Sequence, residues 1–78
     1  MAKTTCIICE NTDGYFVAFL DNGGVRVGSR GNECFDFSAN HPEFKRCTNL
    51  TIHNVEAAYD EFFGAYCCAQ LALPRVPM

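Results

Sequence analysis

The sequence predicts an α+β domain, an antiparallel β-meander of three to four strands packed by one C-terminal α-helix. Three observations predict it. Short runs of β-branched and aromatic residues alternate with Gly, Asn and Asp clusters through the first half of the chain. One of those clusters, Asp21-Asn22-Gly23-Gly24, holds the Asn-Gly pair that favours a hairpin turn. From Val55 onward the apolar residues recur at helical rather than strand spacing.

Thr4–Glu10 reads as the first strand, ended by the turn residues Asn11-Thr12-Asp13-Gly14. Tyr15–Leu20 and Val25–Ser29 flank the Asn-Gly turn as a hairpin. Arg30-Gly31-Asn32 turns the chain again, and Glu33–Phe37 supplies a fourth short strand. Ser38–Asn49 is irregular, with one helical turn expected where Pro42 can take the first helical position. Leu50–His53 is an edge strand or a plain connection. Asn54 is the expected N-cap of a helix running from Val55 to about Leu73, where Pro74 stops it. The domain covers residues 1–78, with 74–78 read as a flexible tail.

At about 100° per residue, Val55, Ala58, Tyr59, Phe62, Tyr66, Ala69 and Leu73 share one side of the helix and should cover the sheet. A two- or four-residue hairpin loop sets Leu20 opposite Val25. Phe16, Ala18, Leu20, Val25 and Val27 then form an uncharged face, the expected core. Tyr15, Val17, Phe19, Arg26, Gly28 and Arg30 form the other face. A three-residue loop would flip this parity between the two strands.

The 78 residues carry a net charge of −3, and 49% are hydrophobic, which is too apolar for a disordered chain. No apolar run approaches the roughly 18 residues of a membrane span. The short apolar stretch before Glu10 does not make a secretory signal, so a reducing, cytoplasmic setting with free thiols is expected. Cys6-Ile7-Ile8-Cys9 has the spacing of a zinc half-site, but no matched second pair follows: Cys67 and Cys68 are adjacent, and Cys34 and Cys47 stand apart. Buried or free thiols are therefore expected, with no metal and no cofactor; a zinc-binding or self-associating module is the alternative.

Catalysis finds little support. His41 or His53 could serve as base to a cysteine nucleophile, yet there is no nucleophile elbow, phosphate loop or paired-carboxylate arrangement. Nucleic-acid binding through Tyr15, Phe19, Arg26 and Arg30 is opposed by the net charge. Protein binding fits better, since Tyr, Phe and Arg are enriched at interface centres. Tyr15, Phe19, Arg26 and Arg30 are the candidate contact residues, with the acidic helix start Glu56, Asp60 and Glu61 as a second surface. The partner is another protein, and the chain is a monomer or a homodimer.

The meander from Tyr15-Phe16-Val17-Ala18-Phe19-Leu20 through Cys34-Phe35-Asp36-Phe37, followed by the helix Val55–Leu73, resembles small phage anti-CRISPR proteins in size, acidity and build. The resemblance implies a non-catalytic inhibitor that docks on a CRISPR effector subunit. It would block target DNA binding or nuclease recruitment. It transfers no individual residue.

Overall fold

The computed structural model describes residues 2–72, with side chains through residue 67. The predicted boundary at Leu73 and Pro74 and the 74–78 tail lie outside the described residues. Four strands, β1 (Thr4–Glu10), β2 (Tyr15–Leu20), β3 (Val25–Ser29) and β4 (Phe35–Phe37), form one open antiparallel sheet in the order β1-β2-β3-β4. Two helices follow, α1 (Phe44–Thr48) and α2 (Val55–Ala72). The fold is thus α+β. Its first three strands have the bounds expected from sequence, and β4 begins two residues later than expected.

The hairpin differs from expectation in one respect with large consequences. Its loop is three residues long. The Leu20 N–H donates to the Gly24 carbonyl at 2.8 Å and the Gly23 N–H to the Leu20 carbonyl at 3.1 Å. Gly23 has φ +92°, which only glycine adopts without strain. The Asn22 side chain accepts the Gly24 N–H at 2.9 Å and closes the turn. Phe19, not Leu20, therefore pairs with Val25, and Val17 with Val27. A one-residue slip moves every β2 side chain to the other face relative to β3. Tyr15, Val17, Phe19, Val25 and Val27 lie under the helices, while Phe16, Ala18, Leu20, Arg26 and Gly28 lie on the open face.

The core follows from that register. Val17, Val25 and Val27 are fully buried beneath Val55, Ala58 and Tyr59 of α2 and Cys47 of α1, with Leu50 between the helices. Ala18 and Leu20 are also buried although they face the open side, where Ala18 sits opposite Arg26. Gly28 is required there. A methyl group on it would come within 2.5 Å of the Cys34 sulfur and 2.8 Å of the Phe16 ring, which lies across it.

Two local signals act at positions other than those expected. Pro42 precedes α1 in a turn rather than opening it; the Phe44 N–H donates to the His41 carbonyl at 3.0 Å and Glu43 stands at the N-cap. Leu50–His53 is a connection, not a strand. Within it Thr51 takes the capping role assigned to Asn54. The Thr51 hydroxyl accepts the His53 N–H at 3.2 Å, and the Asn54 side chain reaches back to the Thr51 N–H at 2.7 Å. This is a variant of the capping box, with the Thr hydroxyl on the N–H two residues on rather than three and Asn in the place of Glu or Gln.

Cys47 gives this core a pH signature. Burial pushes its thiol up from 9.0 to about 11. The folded state then holds a proton that the unfolded chain releases. Its stabilising effect is complete below pH 9 and is lost as pH rises toward 11. Cys47 alone should account for about 2 kcal/mol of the stability lost between pH 8 and pH 10.5 in urea unfolding, on top of the loss from the buried phenols of Tyr15 and Tyr59. Cys47→Ala should make that slope shallower, and an equal slope in the variant would contradict the assignment.

Candidate functional site

The corrected register separates the residues that the sequence placed together. Tyr15 is half-buried under α2, its ring edge-on to Tyr59 with centroids 5.4 Å apart. Burial, with the charges of Glu56, Asp60 and Asp13, raises its phenol above the usual range. Phe19 lies on the same face toward the hairpin tip and is 38% exposed. Arg26 projects from the opposite face. Its Nε and Nη2 donate to the Asp36 carboxylate at 2.7 and 2.8 Å, and its Nη2 also reaches the Ala2 carbonyl at 3.4 Å. That pairing lowers the Asp36 carboxyl and raises the guanidinium. Arg30 is exposed beyond the end of β3, anchored by its N–H to the Gly14 carbonyl at 3.1 Å. Tyr15, Phe19, Arg26 and Arg30 therefore do not share the single face expected of them.

The acidic set is divided as well. Glu56 and Asp60 are exposed near the Tyr15 phenol. Glu61 instead forms an ion pair with Arg46 of α1, and Glu43 lies 3.5 Å from the same guanidinium. Those carboxylates raise the Arg46 guanidinium, Glu61 most.

A different surface comes together. β4 has only three residues, while α2 has eighteen, a rod of about 27 Å. The sheet buries the first turns of the helix and then runs out. Val55, Ala58 and Tyr59 are buried, but Phe63 and Tyr66 remain 38% and 40% exposed. Between α2 and β4 lies a groove of about 710 Å³, walled by Cys34, Phe35, Asp36 and Phe37 on one side and by Glu61, Phe62, Ala65 and Tyr66 on the other. His41, Glu43 and Arg46 also line it. Phe35 is the hub of its ring contacts, 5.5 Å from Tyr59, 5.7 Å from Tyr66 and 6.4 Å from Phe63. Phe37 stands 5.1 Å from Phe62, with the Arg46 guanidinium 5.3 Å from the Phe62 ring. Its lining thus mixes aromatic rings with a few charged and polar groups.

Of the seven candidate contact residues, Glu61 alone lines this groove. Phe35, Phe37, Phe62, Phe63, Tyr66 and Arg46 were not singled out as contacts by sequence reasoning. A usable signal was there: Phe62, Phe63 and Tyr66 on the helix are more aromatic surface than a short edge strand can cover.

The His41 Nδ1 accepts the Glu43 N–H at 3.0 Å, and its ring packs edge-on against Phe37. Cys6 and Cys9 pair with Phe19 and Val17, Cys9 against the core and Cys6 exposed. Among the described residues no three His, Cys, Asp or Glu side chains converge as metal ligands. No helix of the described residues is long and apolar enough to cross a membrane. No protein-family model, curated protein or solved structure is found to match the chain.

Proposed function

We propose that this chain is a non-catalytic protein-binding domain that inhibits its partner by occupying a surface. The observation that carries the reading is the aromatic groove between β4 and α2, where Tyr66 stays exposed against Phe35, with Phe63 exposed beside it. Contiguous exposed aromatics beside an arginine are the composition of interface centres. Leaving them uncovered costs solubility, a cost that a partner removes.

The inhibitory form of the reading is that of an anti-CRISPR protein acting in the cytoplasm on an effector subunit. It rests on the likeness in size, acidity and build. Its test is a titration of purified CRISPR effector complexes with the chain while target DNA binding and cleavage are followed. Loss of either at about one chain per complex is expected with the matching effector. Unchanged binding and cleavage across effectors of every type would contradict the anti-CRISPR form.

A further inference from the structure

We infer that the groove takes an extended peptide that pairs with β4 as a fifth strand, with the pattern apolar–basic–apolar. The inference rests on the protein-binding reading above and names the kind of partner segment.

Backbone direction carries it. The Leu20 N–H bonds to Gly24 and the Arg30 N–H to Gly14, so Gly24, Arg26, Gly28 and Arg30 turn their peptide groups toward β2. Alternate residues point the other way, so Val25 and Val27 turn theirs toward their partners Phe37 and Phe35 on β4. Asp36, between those two, directs its N–H and C=O away from the sheet. The groove lining agrees: Cys34, Phe35, Asp36 and Phe37 all contribute. Alternating side chains alone cannot place four consecutive residues on one wall, and the Asp36 carboxylate is held on the open face by Arg26. Its backbone is what meets the cavity. No turn, loop or side-chain hydrogen bond takes up these two groups among the described residues.

The other sheet edge is less suited to pairing. β1 carries two register irregularities, between Thr4 and Cys6 and between Ile7 and Cys9, and such irregularities protect an edge from added strands. At β4 the edge is regular and α2 stands beside it as a second wall. An added strand receives backbone hydrogen bonds from the edge and side-chain selectivity from the wall.

The register sets the peptide chemistry. A residue opposite Asp36 presents its side chain on the open face, beside a carboxylate that is 45% exposed. A Lys or Arg there would share that carboxylate with Arg26, and it suits the chain's net charge of −3. The residues on either side of it point toward the helix. They enter among Phe35, Phe37, Phe62 and Tyr66, which calls for branched or aromatic side chains.

The test begins with panning a random eight-residue peptide display library against the full chain, then synthesising an enriched peptide. Enrichment of the apolar–basic–apolar pattern is expected. Methylating the backbone nitrogen of the central residue should weaken binding at least tenfold. Asp36→Pro, which removes the outward N–H at a position where an edge strand tolerates proline, should do the same with an unchanged circular dichroism spectrum. Asp36→Ala keeps the N–H and should lose the preference for a basic centre. If the proline variant does not fold, the N-methyl peptide decides between pairing and no pairing. An enriched peptide that survives both backbone changes but is lost in Phe63→Ser/Tyr66→Ser overturns strand pairing and leaves the protein-binding reading standing. A library with no enriched peptide overturns the inference, and the effector titration still judges the protein-binding reading separately.

Discussion

Tyr59→Ala is expected to leave most of the chain unfolded at 25 °C. Tyr59 is 4% exposed and joins α2 to three parts of the sheet layer. Its ring meets Tyr15 of β2 at 5.4 Å and Phe35 of β4 at 5.5 Å. Its hydroxyl donates to the Glu33 carbonyl at 2.8 Å, which ties down the segment entering β4. Truncating a buried aromatic costs about 3–5 kcal/mol. A single core in a chain this short supplies about that much in total. Tyr59→Phe isolates the hydrogen bond and should cost about 1 kcal/mol. Urea titrations followed by circular dichroism separate the two. A Tyr59→Ala variant that unfolds cooperatively with less than about 1 kcal/mol lost would mean that α2 does not hold the sheet as described.

The second large effect is on binding. Phe63→Ser/Tyr66→Ser should weaken partner affinity about 100-fold while the fold persists. Both side chains are more than a third exposed and lie outside the valine core; Phe63 also stacks on Tyr59 at 6.1 Å, so circular dichroism must show the variant folded before affinity is read. Two interface aromatics at about 2 kcal/mol each, added with some shortfall, give that factor. Arg26→Ala is the informative comparison. Its guanidinium is committed to Asp36 on the opposite face of the sheet, and it should leave affinity nearly unchanged. The reverse ranking, a weak aromatic effect and a strong Arg26 effect, would return the binding surface to the open face.

The reason sequence reasoning placed Arg26 beside Tyr15 is specific. Asn22-Gly23 fits a two-residue turn and equally fits the last two positions of a three-residue loop, with Gly23 at positive φ in the latter. The two differ by one residue of register. Composition does not separate them, because Phe16, Ala18 and Leu20 are as apolar as Tyr15, Val17 and Phe19. Strand positions depend on local signals and were legible to within two residues. Helix coverage was legible for Val55, Ala58 and Tyr59. For Tyr66 it was not, because its burial depends on where β4 ends rather than on helical period. Thr51-Ile52-His53-Asn54 is a capping box lacking the usual acid or amide of Glu or Gln, so Asn54 drew the assignment that belongs to Thr51. The groove was least legible. It needs Arg46 of α1 to meet Glu61 of α2 across the fold, and nothing local encodes that meeting.

The most direct measurement is site-specific photo-crosslinking in cells that contain the partner. A benzophenone amino acid is placed at Tyr66 in the groove or at Phe16 on the open face. A discrete adduct with a second protein from position 66, and none from position 16, is the predicted result. An adduct from position 16 alone would contradict the account, because it would put the contact on the sheet face that carries Arg26.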